Sequence, residues 1–553
     1  MPCFYMPASA RSANINSTLD YWGSADVQAA VATISDWIKN VNWGFPGVAL
    51  DDWILVGHSN GGIYLYNILE CFWQLKRVTI LGQGVWFLST HYPDSVIAAA
   101  PVSGYSSIES MFNECFGGRH TDDVVDYVPY SMWQESDPII STILQKSRSN
   151  FKHELLLGNI AGIPILQQHG SNDDNVPTYH SRLMHELLEK AQWPSQYDEL
   201  PGQGHWFEGI LTTPPLLRFY EENIISPRRL KIPLIFTISI PSSGDIGSIY
   251  GIHVDQLQSP DLNGQIKVIR DLESGVWHLQ TQNIYRFHIS ASPRLEMPNA
   301  LVLDNIDQSF IVDPGRCEET WYLKTALDRW IESTETTWKN IQQRYGRQMG
   351  AMDAILRSSG TFTIYICSPG VEHTALQISR NLFQYLAADS QIIKECGPRD
   401  SIHRGAGNAI ILAIGDDLPP SRNRAFPIRA HRGSLILSKG CIHHGFDSAT
   451  HNEPSRQSHL HGFEYIYEDD LGALFLRPLE DERLELIVWA ADLSGLEQAA
   501  RLVPTLTGVG QPDFLVLSHS CRWKGHGGLY AAGHFNKFWQ ISSGSYISKE
   551  LKN

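Results

Sequence analysis

Trp53-Ile54-Leu55-Val56 runs straight into Gly57-His58-Ser59-Asn60-Gly61, a short apolar stretch leading to G-x-S-x-G. That order predicts a buried strand broken by a sharp turn into a helix, with the serine at the apex. Glycines on both sides remove the Cβ atoms that would collide in such a turn. A serine hydroxyl is a poor nucleophile near neutral pH, so the arrangement has a chemical use only if a base comes within hydrogen-bond reach. The pentapeptide alone also occurs by chance in loops, and it gains meaning only from partners farther along the chain.

Two such motifs are present. Ile163-Pro164-Ile165-Leu166-Gln167-Gln168 reads as a strand ending in His169-Gly170-Ser171-Asn172-Asp173-Asp174-Asn175-Val176-Pro177. A helix with Leu183, Leu187 and Leu188 on one face comes next, then Tyr197-Asp198-Glu199-Leu200 and Gly202-Gln203-Gly204-His205-Trp206. Ser, Asp and His in this chain order match the α/β-hydrolase arrangement, with each group just beyond a strand end. Ser59 is the expected nucleophile, His205 the general base and then acid, and Asp173 the group orienting His205. The backbone N–H of Asn60 is the expected first oxyanion donor. Read singly, Asp173 fits turn chemistry and His205 fits an ordinary loop. His58 and His169 read as packing or polar-network residues.

HGSNDDNVP and GQGHWF, at this interval after GHSNGG, resemble the catalytic domain of the prolyl oligopeptidase family of serine peptidases. The resemblance runs from roughly Asp20 to Tyr220, and is closest to the hydrolase region of large fungal proteins. It implies that Asp173, not Asp174, belongs to a triad acting on peptide bonds through an acyl-enzyme. The same family carries a gating propeller, and no blade-length repeat is visible here.

A hydrolase sheet normally lays down several strands before its nucleophile, whereas a single helix, Ala25 to Asn40, fills most of the chain before Leu50. The expectation is an incomplete α/β-hydrolase with its early strands missing, an amino-terminally truncated form of a longer protein. Excising residues 63–82 would leave GHSNGGQGVWFLSTHYPD, an uninterrupted elbow and helix. That stretch is expected to be an insertion: a translated intron to be set aside in fold reasoning, or else a genuine insertion that replaces the helix with Ile63–Leu69. Met111 to Val125 also looks inserted, and its Asp122, Asp123 and Asp126 read as a solvated acidic loop. Tyr130, Trp133 and Glu135 fall where such folds often cover the substrate.

The formal charge of −16 argues against nucleic acid and anionic membrane as partners, since both select basic patches. No window is apolar enough to span a bilayer, and the amino terminus lacks a signal-peptide pattern, so localisation stays open: cytoplasmic as the chain stands, secreted for a longer form. Eight cysteines without C-x-x-C spacing indicate neither a zinc site nor a disulfide framework. Gly415 and Gly495 come after strands without a dinucleotide fingerprint, so no cofactor is expected.

At 553 residues the chain should form two or three domains. The expected division is 1–225 hydrolase, 226–355 a β-rich module plus helix, and 356–553 a small α/β module. Ile232 to Ile240 and Val276 to Ser290 alternate like strands. Glu318 to Leu356 reads as helical, with Trp321, Leu323, Leu327, Trp330 and Ile331 on its apolar side. Strands and helices then alternate through Thr361–Ile366, Thr374–Ala388, Ala409–Ile414, Leu484–Trp489 and Phe514–Leu517, arguing a small parallel layer. His443, His444, His451, His459 and His461 fit no helix face and read as a mobile loop. Arg522-Trp523-Lys524 packs the last strands or faces a partner. The expected function is a serine-type peptidase acting on a peptide, or alternatively an esterase acting on a small ester. A catalytically inactive fragment serving as a binding module is the other reading.

Overall fold

The computed structural model describes residues 40, 53–59, 77–80, 82–107, 137–225, 232–290, 295–305, 308–313, 319–394, 396, 405–439, 461–503 and 511–548. Asn60, residues 25–39 of the expected first helix, Met111–Val125, Asp126, Tyr130, Trp133, Glu135 and His443–His459 lie outside them.

Five parallel strands form the first sheet: β1 (Trp53–His58), β2 (Arg77–Ile80), β3 (Val96–Val102), β4 (Ile165–Gly170) and β5 (Ser195–Leu200), in the order β2-β1-β3-β4-β5. Strands covered on both faces need apolar residues of both parities. Leu55 and Ala99 pack on one side with Trp86 and Leu88 of α1 (Gly82–His91) and with Met184 and Leu188 of α2 (Tyr179–Lys190). Ile54, Val56 and Ala100 pack on the other with Leu216, Phe219 and Tyr220 of α3 (Pro214–Ile225). Among the described residues no strand precedes β1. Within the 63–82 stretch, β2 pairs in parallel with β1 from Ile54↔Arg77 to Gly57↔Ile80, so that segment contributes backbone pairing to the sheet.

Two sheets facing one another make the next layer pair. One holds β6 (Ile235–Ile240), β8 (Gly264–Arg270), β9 (Val276–Gln282), β11 (Ala300–Leu303) and β12 (Ser309–Ile311). The other holds β7 (Ile252–Leu257), β10 (Ile284–Ile289), β13 (Trp321–Lys324) and β14 (Trp330–Ser333). Ile238, Ile266, Leu279 and Leu301 of the first share one core with Val254, Phe287, Tyr322 and Trp330 of the second.

The expected helix over Glu318–Leu356 is absent from its described residues, 319–356. β13 and β14 form a hairpin, and two short 3₁₀ turns, Gly346–Gln348 and Met352–Leu356, come after it. Trp, Tyr and Ile favour a pleated surface, and Asp328 takes φ 56° in the turn between the strands, which no right-handed helix allows. Leu327, placed on the supposed apolar face, is 79% exposed at that turn.

The carboxy-terminal sheet has eight strands. β15 (Phe362–Ile366), β16 (Ser390–Ile393), β17 (Ala409–Ile414) and β22 (Leu484–Ala490) are parallel neighbours. β21 (Gly472–Pro478), β23 (Phe514–Leu517), β24 (Leu529–Gly533) and β25 (Tyr546–Ile547) continue the sheet antiparallel. The layer is therefore mixed, not purely parallel: β21 turns back on β22 as an antiparallel hairpin, a reversal that needs no crossover helix. β18 (Ile428–His431), β19 (Ser434–Lys439) and β20 (His461–Tyr465) form a separate antiparallel sheet. His461, grouped with the histidine loop from sequence, instead opens β20 opposite Lys439.

The cysteine reading also needs correction. Cys367 and Cys396 form a disulfide with Cα atoms 5.0 Å apart. Each lies just beyond one of the paired strands β15 and β16, so strand pairing, not sequence spacing, brings them together. Cys396→Ser should lower unfolding free energy by about 2–4 kcal/mol, through the 29-residue separation it releases. Urea melts without reductant check this; an unchanged midpoint would mean the bond adds nothing to stability.

Polar ties fix the first sheet's layer to the sandwich. Asp94 accepts from Ser248 Oγ and Tyr250 N at 2.6 Å each and from Gly251 N at 3.0 Å. Asn159 donates to Ser239 O and accepts from Ser239 N. No helix among the described residues is long and apolar enough to cross a membrane.

Candidate active site

The ends of β1, β4 and β5 meet at one edge of the first sheet. Ser59 comes directly after β1 with φ 55°, a left-handed conformation that a non-glycine residue adopts only when its surroundings impose it. Its N–H donates to Val102 O at 2.9 Å, which pins the turn to the end of β3. The side chain therefore stands clear of the strand, as an elbow serine must.

His205 arrives on the loop after β5. That loop lies so close to β4 that a Cβ at Gly170 would fall 2.5 Å from the carbonyl oxygens of both Gln203 and Gly204. Ser171 N–H to Leu200 O and Asn172 N–H to Gln203 O, both 2.9 Å, complete the clamp. A glycine ending β4 is thus a requirement of the site.

His205 Nε2 stands 2.7 Å from Ser59 Oγ, and His205 Nδ1 stands 2.7 Å from Asp173 Oδ2. The three side chains singled out from the sequence therefore come together in one hydrogen-bonded line. Asp174 is exposed and takes no part. Asp173 Oδ1 accepts from the N–H groups of Asn175 (3.0 Å) and Val176 (2.8 Å). Burial would raise the Asp173 carboxyl, but hydrogen bonds from His169, His205 and Val176 outweigh it and hold the group well below the usual carboxylate range.

Of the two roles read for His169, packing or polar network, the structure gives it the second, in contact with Asp173. Its Nε2 lies 2.8 Å from Val176 O and 3.2 Å from Asp173 Oδ2, while its Nδ1 meets Ser181 Oγ at 2.8 Å. The sequence signal was present, since His169 lies in β4 just before the aspartate loop, but spacing alone does not reveal a second donor. His58 is fully buried, and its Nε2 donates to the His205 backbone carbonyl at 2.8 Å. Burial, aided by the nearby His205, pushes its pKa down to about 3, so it stays neutral and adds no charge beside His205. Trp206 is 55% exposed with its ring 4.4 Å from that of His58, which makes it a wall of the open side. Farther off, Arg522 donates to Asp470 at 2.6 Å, while the neighbouring Trp523 is exposed.

No family model matches the chain. An uncharacterized secreted protein of Arthroderma benhamiae is 40% identical over 534 residues, covering 95% of this chain and 51% of that protein. The chain thus spans about half the length of the curated relative it matches. Among solved structures, a Mycobacterium tuberculosis puromycin-hydrolyzing peptidase aligns at 19% identity and TM-score 0.23, over 37% of this chain and 25% of that one. A thermostable esterase aligns at 15% and 0.19, over 35% and 36% of the two chains. Pyrococcus horikoshii acylaminoacyl peptidase aligns at 15% and 0.19, over 28% and 24%. These similarities are to enzymes of the α/β-hydrolase class, and they are too slight to assign this chain a reaction.

Proposed function

We propose that this chain is a serine hydrolase that cleaves peptide bonds by acyl transfer, with Ser59, His205 and Asp173 as its triad. One observation carries the reading: the unbroken line from Ser59 Oγ through His205 to Asp173, each step 2.7 Å, with the serine on a left-handed turn. Ser59 Oγ attacks the carbonyl carbon as its proton passes to His205 Nε2. The tetrahedral intermediate then collapses, His205 gives that proton to the leaving amine, and an ester to Ser59 remains. Water, deprotonated by His205, attacks this ester; the proton returns to Ser59 Oγ and the acid leaves. Asp173 keeps the Nδ1 proton in place and stabilises the imidazolium between the two transfers. The N–H of Asn60 is the proposed oxyanion donor, by its position after the nucleophile.

A fluorophosphonate probe tests this. Labelling of the folded chain at Ser59, located by peptide mass spectrometry and absent in Ser59→Ala, is the expected result. A folded chain that takes no label would instead support the inactive, binding-module reading. Hydrolysis of peptide amides alongside activated esters separates the peptidase from the esterase, since both share the acyl-transfer chemistry. We further propose secretion. The relative's description as secreted and the Cys367–Cys396 disulfide, which suits an oxidising compartment, both favour it. The domain division at about 225 and 355 stands as a proposal alongside.

A further inference from the structure

We propose that the sandwich module carries a metal site for a divalent ion of the zinc class, held by His253, Asp255 and His288. One ligand atom from each of the three lies within 4.8 Å of the others. His253 and His288 are directly paired across the antiparallel β7–β10 ladder, which brings their rings to 4.7 Å, 30° from parallel. Asp255 would come next on the same face by strand alternation. The register sharpens this: Val254 pairs with Phe287 but Gln256 with Arg286, so Asp255 is the extra residue of a β-bulge. Bulges re-aim a side chain and recur beside functional sites. Here the carboxylate comes 2.9 Å from His288 Nδ1.

Coordination chemistry accounts for what simple packing leaves odd. Two imidazoles side by side satisfy no hydrogen bond of each other, and His253 Nδ1 is buried without a partner. Such a group is costly unless something outside the chain uses its lone pair. Ligand atoms around a tetrahedral zinc stand about 3.3 Å apart, so shifts of an ångström or so convert this cluster into a ligand set. Glu319 completes the logic, because its Oε1 sits 3.1 Å from His288 Nε2. A metal-bound histidine usually gives its other ring N–H to a carboxylate, which fixes the tautomer and the ring plane. The neighbouring cation Lys339 is engaged by Glu319 at 3.7 Å and by the Trp321 ring at 4.7 Å. Three protein ligands leave a fourth position for water. Nothing in this cluster depends on Ser59 or its partners.

Cobalt(II) alone is the probe, added to the full chain stripped of metal by chelator. The expected result is one tight Co²⁺ per chain with visible tetrahedral-type bands, displaced by one equivalent of Zn²⁺. His253→Gln and His288→Gln should each abolish the bands, while His205→Gln keeps them and so excludes the triad as their source. Should either glutamine variant fail to fold by circular dichroism, Glu319→Gln replaces it, with an expected affinity loss of about 10–100-fold. No Co²⁺ bands with the wild-type chain, or bands unchanged in the folded variants, would overturn the proposal.

Discussion

Asp173→Asn should reduce turnover about 10⁴-fold and leave the fold intact. The reason lies in the number of donors around this one carboxylate. Oδ1 receives two backbone N–H groups, from Asn175 and Val176, while Oδ2 faces His205 Nδ1 and His169 Nε2. An ionised carboxylate accepts on both oxygens; an amide accepts on one only. If the amide oxygen keeps the two backbone donors, its NH₂ faces His205 Nδ1. That nitrogen must then accept, and the ring proton moves to Nε2, opposite Ser59 Oγ. A base already carrying its proton there cannot take another from the serine. If the amide flips, its NH₂ meets two backbone N–H groups in a buried turn, which is worse. Steady-state turnover on an activated ester, with circular dichroism as the control, measures the effect. Asp174→Asn, an exposed change one residue along, should stay within a few-fold of wild type. Equal losses in the two variants would remove Asp173 from its special position.

The Ser59–His205–Asp173 hydrogen-bonded line was legible because each of its members sits in a motif that is recognisable locally. Apolar runs mark β1 and β4, and each is closed by glycine-bearing turn chemistry just where Ser59 or the Asp173 loop begins. What holds these groups in register was less visible. The demand for Gly170 comes from a loop that is distant in sequence, and His169 reaches Asp173 only once the 173–176 turn has folded back. The same limit explains the helix read where β13 and β14 stand. Trp321, Leu327, Trp330 and Ile331 satisfy a helical period by chance, while the strands take their meaning from Tyr322, on which Phe287 stacks and which Phe310 meets edge-on. The disulfide and the His253–His288 pair failed to show for one reason: cross-strand neighbours carry no fixed spacing in the chain. Short, fully apolar strands such as Ala409–Ile414 and Phe514–Leu517 were legible to the residue, because burial on both faces leaves a continuous hydrophobic signature.

Asp513→Ala should destabilise the chain by about 3–5 kcal/mol, more than loss of the disulfide. Arg344 and Asp513 form a buried bidentate pair, with contacts of 2.5 and 2.9 Å and side chains 2% and 0% exposed. The guanidinium also donates to the carbonyls of Gln348, Gly350 and Phe535, and lies over the Trp539 ring at 5.0 Å. Asp513 in turn accepts from Phe535 N at 2.8 Å. The pair therefore joins the segment leaving the sandwich to the start of β23, an interior strand of the carboxy-terminal sheet, and Gln256 of β7 donates to the Arg344 carbonyl from the other side. Removing the aspartate takes the directly bonded carboxylate from a buried cation: the remaining carbonyls supply dipoles, and Asp245, already paired with Arg357, acts on it only through space. The cost is that of the orphaned charge and not of the attraction lost, which a second variant can show. Arg344→Met with Asp513→Leu removes both charges together and should unfold at a higher urea concentration than Asp513→Ala alone. Urea melts of the three proteins decide it: a double variant no more stable than the single one would place the stabilisation in the pair itself.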